Sequence, residues 1–322
     1  MMDYVVISIK LQALITYYLL RFIHHRLIMK KVLITGIDGF TGVYLEALLT
    51  KAGYDVFGLV YPKSNKRTHL VCNITNLQEV VTVFQSVKPD YVVHLAGISF
   101  VPHSNVKQIY EINFFGSLNV LDALLNTGVT PDKIVLASSA NVYGNPLVEV
   151  IDETLCPIPV NHYATSKLAM ECMARTYFER LNILITRPFN YTGVGQNGQF
   201  LIPKIVKHFR EEQREIELGN LDVVRDFSDV RFVAEAYKKL MECAETSEIV
   251  NICSGTGISL MEIISKMNAL AGYEIRTRIN PAFVRKNELK TLIGSNNKLI
   301  SLIHESNSIS FEDTLRWMFE SA

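Results

Sequence analysis

The chain alternates short runs of apolar, β-branched residues with longer stretches in which apolar positions recur at helical spacing. From Lys31 the order is KVLIT, a helix from about Phe40, YDVFGLV, a helix from about Asn76, and YVVHLAG. Strands that alternate with helices in this way are typical of βαβ units. The pattern therefore predicts parallel strands joined by helical crossovers.

The same alternation continues to about residue 188. It predicts a helix from about Asn105 to Leu125, the strand KIVLASS, a helix from about Tyr163 to Arg180, and the strand NILITRP. These strands are apolar at nearly every position, which indicates a sheet covered by helices on both faces. We therefore expect an α/β fold with a doubly wound parallel sheet.

After Pro188 the alternation becomes irregular. The glycine-rich segment TGVGQNG precedes a helix from about Ile202 to Glu212, and a further helix begins at about Asp229. A helix from Ser259, the strand-like EIRTRIN and a terminal helix around Trp317 follow. We expect a smaller C-terminal α/β lobe over the carboxyl edge of the sheet, where such folds bind ligands.

The N-terminal segment does not follow this pattern, because it is mostly apolar and precedes an ordinary globular start at Met29. Lys10 interrupts it, so the uninterrupted apolar stretches fall short of the roughly 20 residues that a membrane span requires. It also lacks the basic start and the cleavage site of a secretory signal. We expect residues 1–29 to be an extension outside the fold, either a start upstream of the native one or an amphipathic anchor.

Charge and cysteine content narrow the function. The 322 residues contain 32 Lys and Arg and 32 Asp and Glu, so no global field attracts nucleic acid or anionic lipid. The five cysteines form no C-x-x-C pair, and the eight histidines are not spaced as metal ligands. We expect a cytoplasmic protein without a metal, a nucleic-acid partner or, apart from its N-terminal segment, a membrane contact.

The first predicted strand leads directly into three glycines, Gly36, Gly39 and Gly42, in the spacing G-x-x-G-x-x-G. Glycines at a strand-to-helix turn allow the backbone to approach a pyrophosphate and direct a helix N-terminus toward it. A plain tight turn has the same composition. Flanked by a strand and a helix, the motif favours a dinucleotide site.

The end of the second strand bears on which dinucleotide is bound. An acid there would hold the ribose hydroxyls of NAD, but the sequence instead has Tyr61, Lys63, Lys66 and Arg67. Basic side chains suit the 2′-phosphate of NADPH. We expect NADP(H), with NAD(H) still possible, and the alternative is a solvated loop whose charges are incidental.

Candidate catalytic groups lie on a helix and on two strand ends. Tyr163 and Lys167 share a helix face, and an ammonium beside a phenol lowers the pKa of the tyrosine from about 10 toward neutrality, ready for proton exchange. The strand KIVLA ends in Ser138-Ser139, and YVVH continues into Leu95-Ala96-Gly97. The Tyr/Lys pair alone also fits a helix surface, and the serine also fits a turn cap.

Taken together, the motifs resemble those of the extended short-chain dehydrogenase/reductase family. In chain order they are TGIDGFTG, HLAG, the Asn113 of NFFGSLNVLDA, SSANVYG, YATSK, RPFN and RDFSDV. The resemblance covers the chain from about Lys30 to its end. It implies a Rossmann-type domain at 30–188 plus 229–255, a nucleotide-sugar lobe at 189–228 plus 256–322, and often a homodimer formed through helices like those of Asn113 and Tyr163.

The resemblance also implies roles for single residues. Ser139, Tyr163 and Lys167 would form the catalytic set, with Asn113 as structural support. The implied cofactor contacts are Gly36, Gly39, Phe40, Gly42, Tyr61, Lys63, Arg67, Asn73, Ile74, Leu95, Ala96, Gly97, Tyr163, Lys167 and Arg187. The implied substrate contacts are Ser99, Ser139, Asn190, Arg225, Arg285 and Glu288. Asn73 departs from the family, which often has aspartate near adenine.

The residues after the catalytic serine bear on the reaction. Dehydratases of this family resemble one another in placing acids there, whereas this sequence has Ala140 and Asn141. GNLDVVRDFSDV, VNICSG and LKTLIGSNNKL resemble GDP-6-deoxy-D-mannose reductases, which implies NADPH-dependent reduction of GDP-4-dehydro-6-deoxy-D-mannose to GDP-D-rhamnose, a lipopolysaccharide or glycan precursor. The alternatives are a UDP- or GDP-sugar 4-epimerase with tightly bound NAD and a non-catalytic NADP(H) sensor.

Overall fold

A computed structural model describes residues 29–64, 66–99, 105–284, 290–304 and 309–321. The expectation of an N-terminal extension at residues 1–29 therefore falls almost wholly outside the described residues. Among the helices that the structure describes, none is both long enough and apolar enough to cross a membrane.

Seven strands form one parallel sheet. They are β1 (Lys31–Thr35), β2 (Asp55–Val60), β3 (His69–Val71), β4 (Tyr91–His94), β5 (Lys133–Ala137), β7 (Ile183–Pro188) and β11 (Glu248–Ile252). Their order across the sheet is β11-β7-β5-β4-β1-β2-β3, and all six pairings are parallel. The chain reverses its direction of travel between β1 and β4, and α/β sheets bind ligands at such a reversal.

Helices cover both faces of this sheet, as the continuous apolar strands predicted. The helices involved are α1 (Phe40–Lys51), α2 (Leu77–Val87), α4 (Ser117–Thr127), α5 (His162–Arg175) and α7 (Val230–Glu242). On one face α1 and α7 bury residues such as Leu45 and Leu240, and on the other α2, α4 and α5 bury residues such as Phe84, Leu121 and Met170. The predicted Rossmann-type, doubly wound fold is confirmed.

One predicted helix is interrupted. The stretch predicted as a single helix from Asn105 to Leu125 consists of α3 (Val106–Tyr110), a π-helical turn (Glu111–Gly116) and α4. At Gly116 an added Cβ would lie 2.6 Å from the Cδ1 atom of Ile74, so any larger residue there would require the Ile74 side chain to move. The π-turn holds Asn113 in a fully buried position, and such turns are frequent at functional sites.

The remaining strands and helices build the C-terminal lobe. One mixed sheet contains β6 (Val150–Ile151), β8 (Asn190–Thr192), β10 (Val224–Asp229), β12 (Gly257–Ser259) and β14 (Thr291–Gly294), and a second pairs β9 (Glu215–Leu218) with β13 (Arg276–Ile279). The helices that pack on them are α6 (Leu201–Arg210), α8 (Leu260–Ala271) and α10 (Phe311–Glu320). This lobe has its own apolar core.

Two elements lie on the other side of the predicted domain boundary. β6 belongs to the stretch assigned to the Rossmann domain, but it pairs with β14 in the lobe. Conversely, α9 (Asn297–Ile303) belongs to the stretch assigned to the lobe, but its Leu299 is buried in the core between the seven-stranded sheet and α7. The two parts of the molecule therefore exchange elements.

Candidate active site

The glycine turn lies at the carboxyl end of β1 against the end of β4. Gly36 has a φ of +70°, and a Cβ there would lie 2.9 Å from the backbone of Ala96. At Gly42 a Cβ would lie 2.4 Å from the carbonyl oxygen of Gly36, and at Gly39 3.1 Å from the same atom. The turn thus needs its glycines, and α1 begins directly after it at Phe40. A backbone this tight, ending in a helix N-terminus, fits a dinucleotide pyrophosphate.

Only part of the predicted basic cluster is available to a ligand. Tyr61, Lys63 and Arg67 are exposed beyond the end of β2. Lys66 instead forms an ion pair with Glu46 of α1, at 2.8 Å, and the same carboxylate contacts His69 at 2.9 Å. Lys63 and Arg67 remain as the cations that can meet a 2′-phosphate.

Asn73 and Ile74 follow β3 on the same side. The Asn73 side-chain oxygen accepts hydrogen bonds from the amide and the hydroxyl of Thr75, at 3.1 and 2.8 Å. Ile74 is buried, and its carbonyl accepts a hydrogen bond of 2.9 Å from Asn119. Asn73 therefore shapes the turn before α2.

Tyr163, Lys167 and Ser139 converge at the end of β5. Tyr163 and Lys167 project from α5, whose N-terminus is capped by Asn161, and all three side chains are buried. Ser139 acts on the Tyr163 hydroxyl by favouring the phenolate, which opposes the rise of the Tyr163 pKa. The Lys167 ammonium donates to the carbonyl oxygen of Ala137 at 2.8 Å.

The hydrogen bonds of Ser139 fix the direction of its proton. Its oxygen accepts from the Asn141 amide at 3.2 Å and from the Asn141 side chain at 3.1 Å. A hydroxyl has two acceptor positions and one donor. Ser139 therefore has its own proton left to donate to Tyr163 or to a substrate oxygen, and sequence reasoning missed this role of Asn141.

The electrostatics of Tyr163 differ from the sequence prediction. Burial raises the pKa of Tyr163 to about 12, against the opposing hydrogen bond from Ser139. Burial also lowers the pKa of Lys167 to about 8, against the opposing charge of Glu171. The sequence predicted a fall of the Tyr163 pKa toward neutrality, whereas burial of the phenol in this structure raises that pKa. Tyr163 is thus a protonated phenol at neutral pH.

Asn113 connects the catalytic helix to the loop after β4. Its side-chain amide donates to the Ser166 hydroxyl at 3.0 Å and to the Ile98 carbonyl at 3.2 Å, and its oxygen accepts from the Ile98 amide at 2.8 Å. Ser166 in turn donates to the carbonyl oxygen of Tyr163 at 2.7 Å. This arrangement supports the proposal that Asn113 positions the catalytic helix.

His94 lies in a buried chain of hydrogen bonds that sequence reasoning did not find. Ser117 donates to the Asn113 carbonyl at 2.8 Å, so it accepts from His94 Nε2, also at 2.8 Å. His94 Nδ1 then accepts from Thr35 at 2.7 Å. Burial, and next the charge of Lys167, lower the pKa of His94 to about 3. A neutral His94 thus joins the ends of β1 and β4 to the π-turn.

Arg187, for which a cofactor contact was predicted, is buried. Its guanidinium is 1% exposed and makes a bidentate ion pair with Glu171, at 3.0 Å from Nε and 2.6 Å from Nη2. Its plane lies 4.7 Å from the ring centre of Tyr143. Because its partners are core groups, Arg187 is a structural residue here. Glu171, eight residues after Tyr163 on α5, was also missed, although this spacing gives it the same helix face.

The predicted substrate residues are only partly described. Asn190 lies opposite Phe227 in the pairing of β8 with β10, and its amide donates to the Asp226 carbonyl at 3.3 Å. Arg225 lies two residues before Phe227 on β10 and donates to the carbonyls of Val224 and Lys290. Ser99 is exposed after β4, whereas Arg285 and Glu288 lie outside the described residues.

The start of α1, directly after the glycine turn, contacts the lobe. The hydroxyls of Thr41 in α1 and Tyr191 in β8 are 2.8 Å apart, and the rings of Phe40 and Tyr191 stack with centroids 6.0 Å apart. Among the described residues, no group of three His, Cys, Asp or Glu side chains could hold a metal ion. The site is thus built from glycine backbone, hydroxyls and one ammonium.

Comparison with known proteins shows which family the chain belongs to. The family model described as GDP-mannose 4,6 dehydratase matches residues 33–318. The chain is 35% identical to the GDP-6-deoxy-D-talose 4-dehydrogenase of Aggregatibacter actinomycetemcomitans, over 85% of this chain and 91% of the relative. It is 30% identical to the GDP-6-deoxy-D-mannose reductase of Pseudomonas aeruginosa, over 89% and 95%.

Two solved structures have the same fold. A candidate epimerase from Burkholderia cenocepacia is 43% identical with a TM-score of 0.86, over 90% of this chain and 97% of that one. The structure of RMD from Pseudomonas aeruginosa complexed with NADPH is 29% identical with a TM-score of 0.81, over 91% and 97%.

Proposed function

The chain belongs to the GDP-mannose 4,6-dehydratase family of NAD(P)-dependent nucleotide-sugar enzymes, and from this premise we propose that it reduces GDP-4-dehydro-6-deoxy-D-mannose to GDP-D-rhamnose. The names of two relatives support this substrate, because both specify a GDP-linked 6-deoxyhexose. D-Talose and D-mannose differ only in configuration at carbon 4. GDP-6-deoxy-D-talose is therefore the second candidate product.

The convergence of Tyr163, Ser139 and Lys167 at the end of β5 is the observation that carries this proposal. Reduction of a ketone requires a proton donor beside the oxygen that becomes an alcohol, and the Tyr163 phenol is a buried proton donor at this strand end. A dehydratase needs a further acid and base for elimination. The turn that follows Ser139, Ala140–Tyr143, contains no carboxylate, which favours reduction over dehydration.

The residues fit a nicotinamide cofactor. Gly36, Gly39 and Gly42 leave the space that a pyrophosphate needs, since a Cβ at any of them would meet backbone atoms. Lys63 and Arg67 would meet the 2′-phosphate of NADPH, the cofactor present in the structure of Pseudomonas RMD. When bound, the reduced cofactor supplies the hydride that the 4-keto carbon accepts.

The chain's own residues provide the proton. As the 4-keto carbon accepts hydride and its C=O double bond becomes a single bond, Tyr163 donates its phenolic proton to the oxygen. Ser139 donates a hydrogen bond to the same oxygen, or to the phenolate that Tyr163 becomes, because its acceptor positions are filled by Asn141. Lys167, one helical turn away, offsets the phenolate charge.

We also propose a location, an oligomeric state and a role for the product. The enzyme would act in the cytoplasm as a homodimer and make a precursor of lipopolysaccharide or another glycan. The apolar side chain of Phe115, at the end of the π-turn, is 52% exposed and lies on the helical region that would form the dimer contact. Light scattering on the purified chain measures this oligomeric state.

The test is NADPH oxidation, followed by absorbance, with GDP-4-dehydro-6-deoxy-D-mannose formed in situ by a separate dehydratase. We expect stoichiometric oxidation and one GDP-6-deoxyhexose, whose carbon-4 configuration NMR identifies. Tyr163→Phe should lower the rate by about 10²–10⁴-fold. Tyr177→Phe is the matched control, because the Tyr177 hydroxyl donates to Asp122 at 2.6 Å and takes no part in the proposed proton transfer.

Three outcomes would count against the proposal. Equal rates for the two tyrosine variants would remove the role of Tyr163. NAD bound to the purified protein, together with interconversion of sugar nucleotides without added cofactor, would identify a 4-epimerase. Cofactor binding without turnover of any 4-keto sugar would leave a sensor.

A further inference from the structure

Three titratable side chains form one stripe along α5. Tyr163, Lys167 and Glu171 are spaced by four residues, so each lies one turn from the next on a single helix face. All three are buried, and Glu171 is 1% exposed. The proposed reaction uses the first two, and it leaves the buried carboxylate at the end of the stripe without a stated role.

Glu171 is held from two neighbouring strands. Arg187 of β7 donates to both of its oxygens, at 3.0 and 2.6 Å, and the Ser138 hydroxyl after β5 donates at 2.5 Å. Arg187 Nη1 has no hydrogen-bond partner among the described residues, so the guanidinium is directed at this one carboxylate. Such an arrangement fixes the position of the negative charge and its distance from Lys167.

The other groups around Lys167 do not supply a negative charge. From β4 it faces His94, which is neutral, and from β5 the carbonyl of Ala137. From the π-turn it faces the Asn113 side chain, whose oxygen, like the Lys167 ammonium, lies about 3 Å from the place of a Cβ on Gly97. Besides the Ala137 carbonyl, which accepts its hydrogen bond, the group that counters the desolvation of the ammonium is the Glu171 carboxylate, whose charge raises the pKa of Lys167.

We propose that Glu171 is a positioning residue that keeps the Lys167 ammonium charged in its buried place, so that the proton can leave Tyr163. This inference rests on the proposed function. After proton transfer four charges of alternating sign follow one another: the Tyr163 phenolate, the Lys167 ammonium, the Glu171 carboxylate and the Arg187 guanidinium of β7. Buried charges persist when each has a neighbour of opposite sign.

The sign of the effect follows from the charges. A negative neighbour favours the ammonium form of lysine, so removing the charge of Glu171 lowers the pKa of Lys167 below its present value near 8. Lysine then loses its proton at lower pH. The alkaline fall of kcat therefore moves to lower pH, while KM changes little because Glu171 is fully buried.

The direct test is a pH titration of Lys167 by NMR, with lysine labelled at the ε-carbon and the signal assigned from Lys167→Met. In Glu171→Gln we expect the midpoint to fall by on the order of one pH unit. Arg187→Met should move it the other way, because Glu171 then interacts more strongly with Lys167. Unchanged midpoints in both variants would overturn the proposal.

The controls separate folding and function from this effect. If Glu171→Gln alone does not fold, the double variant Glu171→Gln/Arg187→Met removes both charges and is titrated instead. A smaller downward shift is expected there, because the loss of the Arg187 cation opposes part of the effect. Glu211→Gln removes one partner of the exposed Lys207–Glu211 pair and should leave the Lys167 midpoint and the rate profile unchanged. Because the titration needs no substrate, a failed sugar assay would count against the proposed function alone.

Discussion

At the scale of single residues, the site depends on the absence of a side chain at Gly97 as well as on the hydroxyl of Tyr163. A Cβ on Gly97 would lie 3.0 Å from Asn113 Oδ1 and 3.1 Å from Lys167 Nζ. Both contacts are tighter than a methyl group accepts without movement. Gly97 therefore leaves the ammonium and the supporting amide in place around the catalytic helix.

We predict that Gly97→Ala lowers kcat/KM by at least about tenfold while the fold survives, because a displaced Lys167 costs reaction geometry more than packing. The measurement is the NADPH assay, with a thermal unfolding curve for the same sample. Gly198→Ala is the matched control, since a Cβ there meets no atom within 4 Å. Full activity of Gly97→Ala would show that Lys167 tolerates the displacement.

Single residues also show where sequence reasoning succeeds and fails. Strand ends and helix spacing made Ser139, Tyr163 and Lys167 candidates, and the family resemblance implied that the three act together. The buried pairing of Arg187 with Glu171 was not, because partners on different elements leave no mark on either element's periodicity. The pKa of Tyr163 was wrong in direction because burial is a property of the folded molecule.

At the scale of elements, the His94 chain holds the ends of two strands against the π-turn. Neutral His94 accepts from Thr35 and donates to Ser117, both of them uncharged hydroxyl groups. The apolar run YVVH predicts a strand, but it does not predict that His94, its last residue, is hydrogen-bonded to a hydroxyl at each ring nitrogen. The helix predicted from Asn105 likewise gave no sign of its π-turn, because both helix types bury similar residues.

The buried His94 makes a pH-dependent contribution to stability. Its pKa is near 6.5 in the unfolded chain and about 3 in the folded one, so the unfolded state binds the extra proton between these values. The contribution of neutral His94 to the free energy of unfolding is therefore complete above pH 6.5. It decreases as the pH falls, by about 1.4 kcal/mol per pH unit for one proton.

We predict that urea unfolding of the wild type shows this loss between pH 6.5 and 5, about 2 kcal/mol from His94, and that His94→Gln lacks it. Glutamine keeps one donor and one acceptor for Ser117 and Thr35. The control is His208→Gln, which removes a partly exposed histidine of α6 and should keep the wild-type slope. An unaltered slope in His94→Gln would contradict the assignment.

At the scale of the whole molecule, the exchange of β6 and α9 makes the two parts depend on each other. Leu299 of α9 completes the core of the sheet domain, and β6 completes the lobe sheet. The order of strands and helices in the Rossmann part was predicted from period alone. The exchange was not, because it depends on long-range pairing between a two-residue strand and a partner more than a hundred residues away.

We predict one cooperative unfolding transition, with the lobe and the sheet domain lost together. Trp317, the one tryptophan of the chain, lies on α10 of the lobe, and its ring contacts Tyr44 of α1 and lies 3.9 Å from the Arg231 guanidinium of α7. Its fluorescence therefore reports on the contact between the lobe and the sheet domain. Its fluorescence should change at the same urea concentration as the far-ultraviolet circular dichroism, which reports on all elements. Two separated midpoints would show that the exchanged elements do not couple the parts.

The pairing of Glu171 with Arg187 also constrains how this sequence can change over generations. Loss of either partner leaves a buried charge unpaired, at a cost of about 3–5 kcal/mol, a large part of the 5–15 kcal/mol that stabilises a typical domain. A lineage cannot readily pass through such an intermediate one substitution at a time. We therefore expect positions 171 and 187 to covary in related sequences. A sequence without this ion pair should differ at both positions.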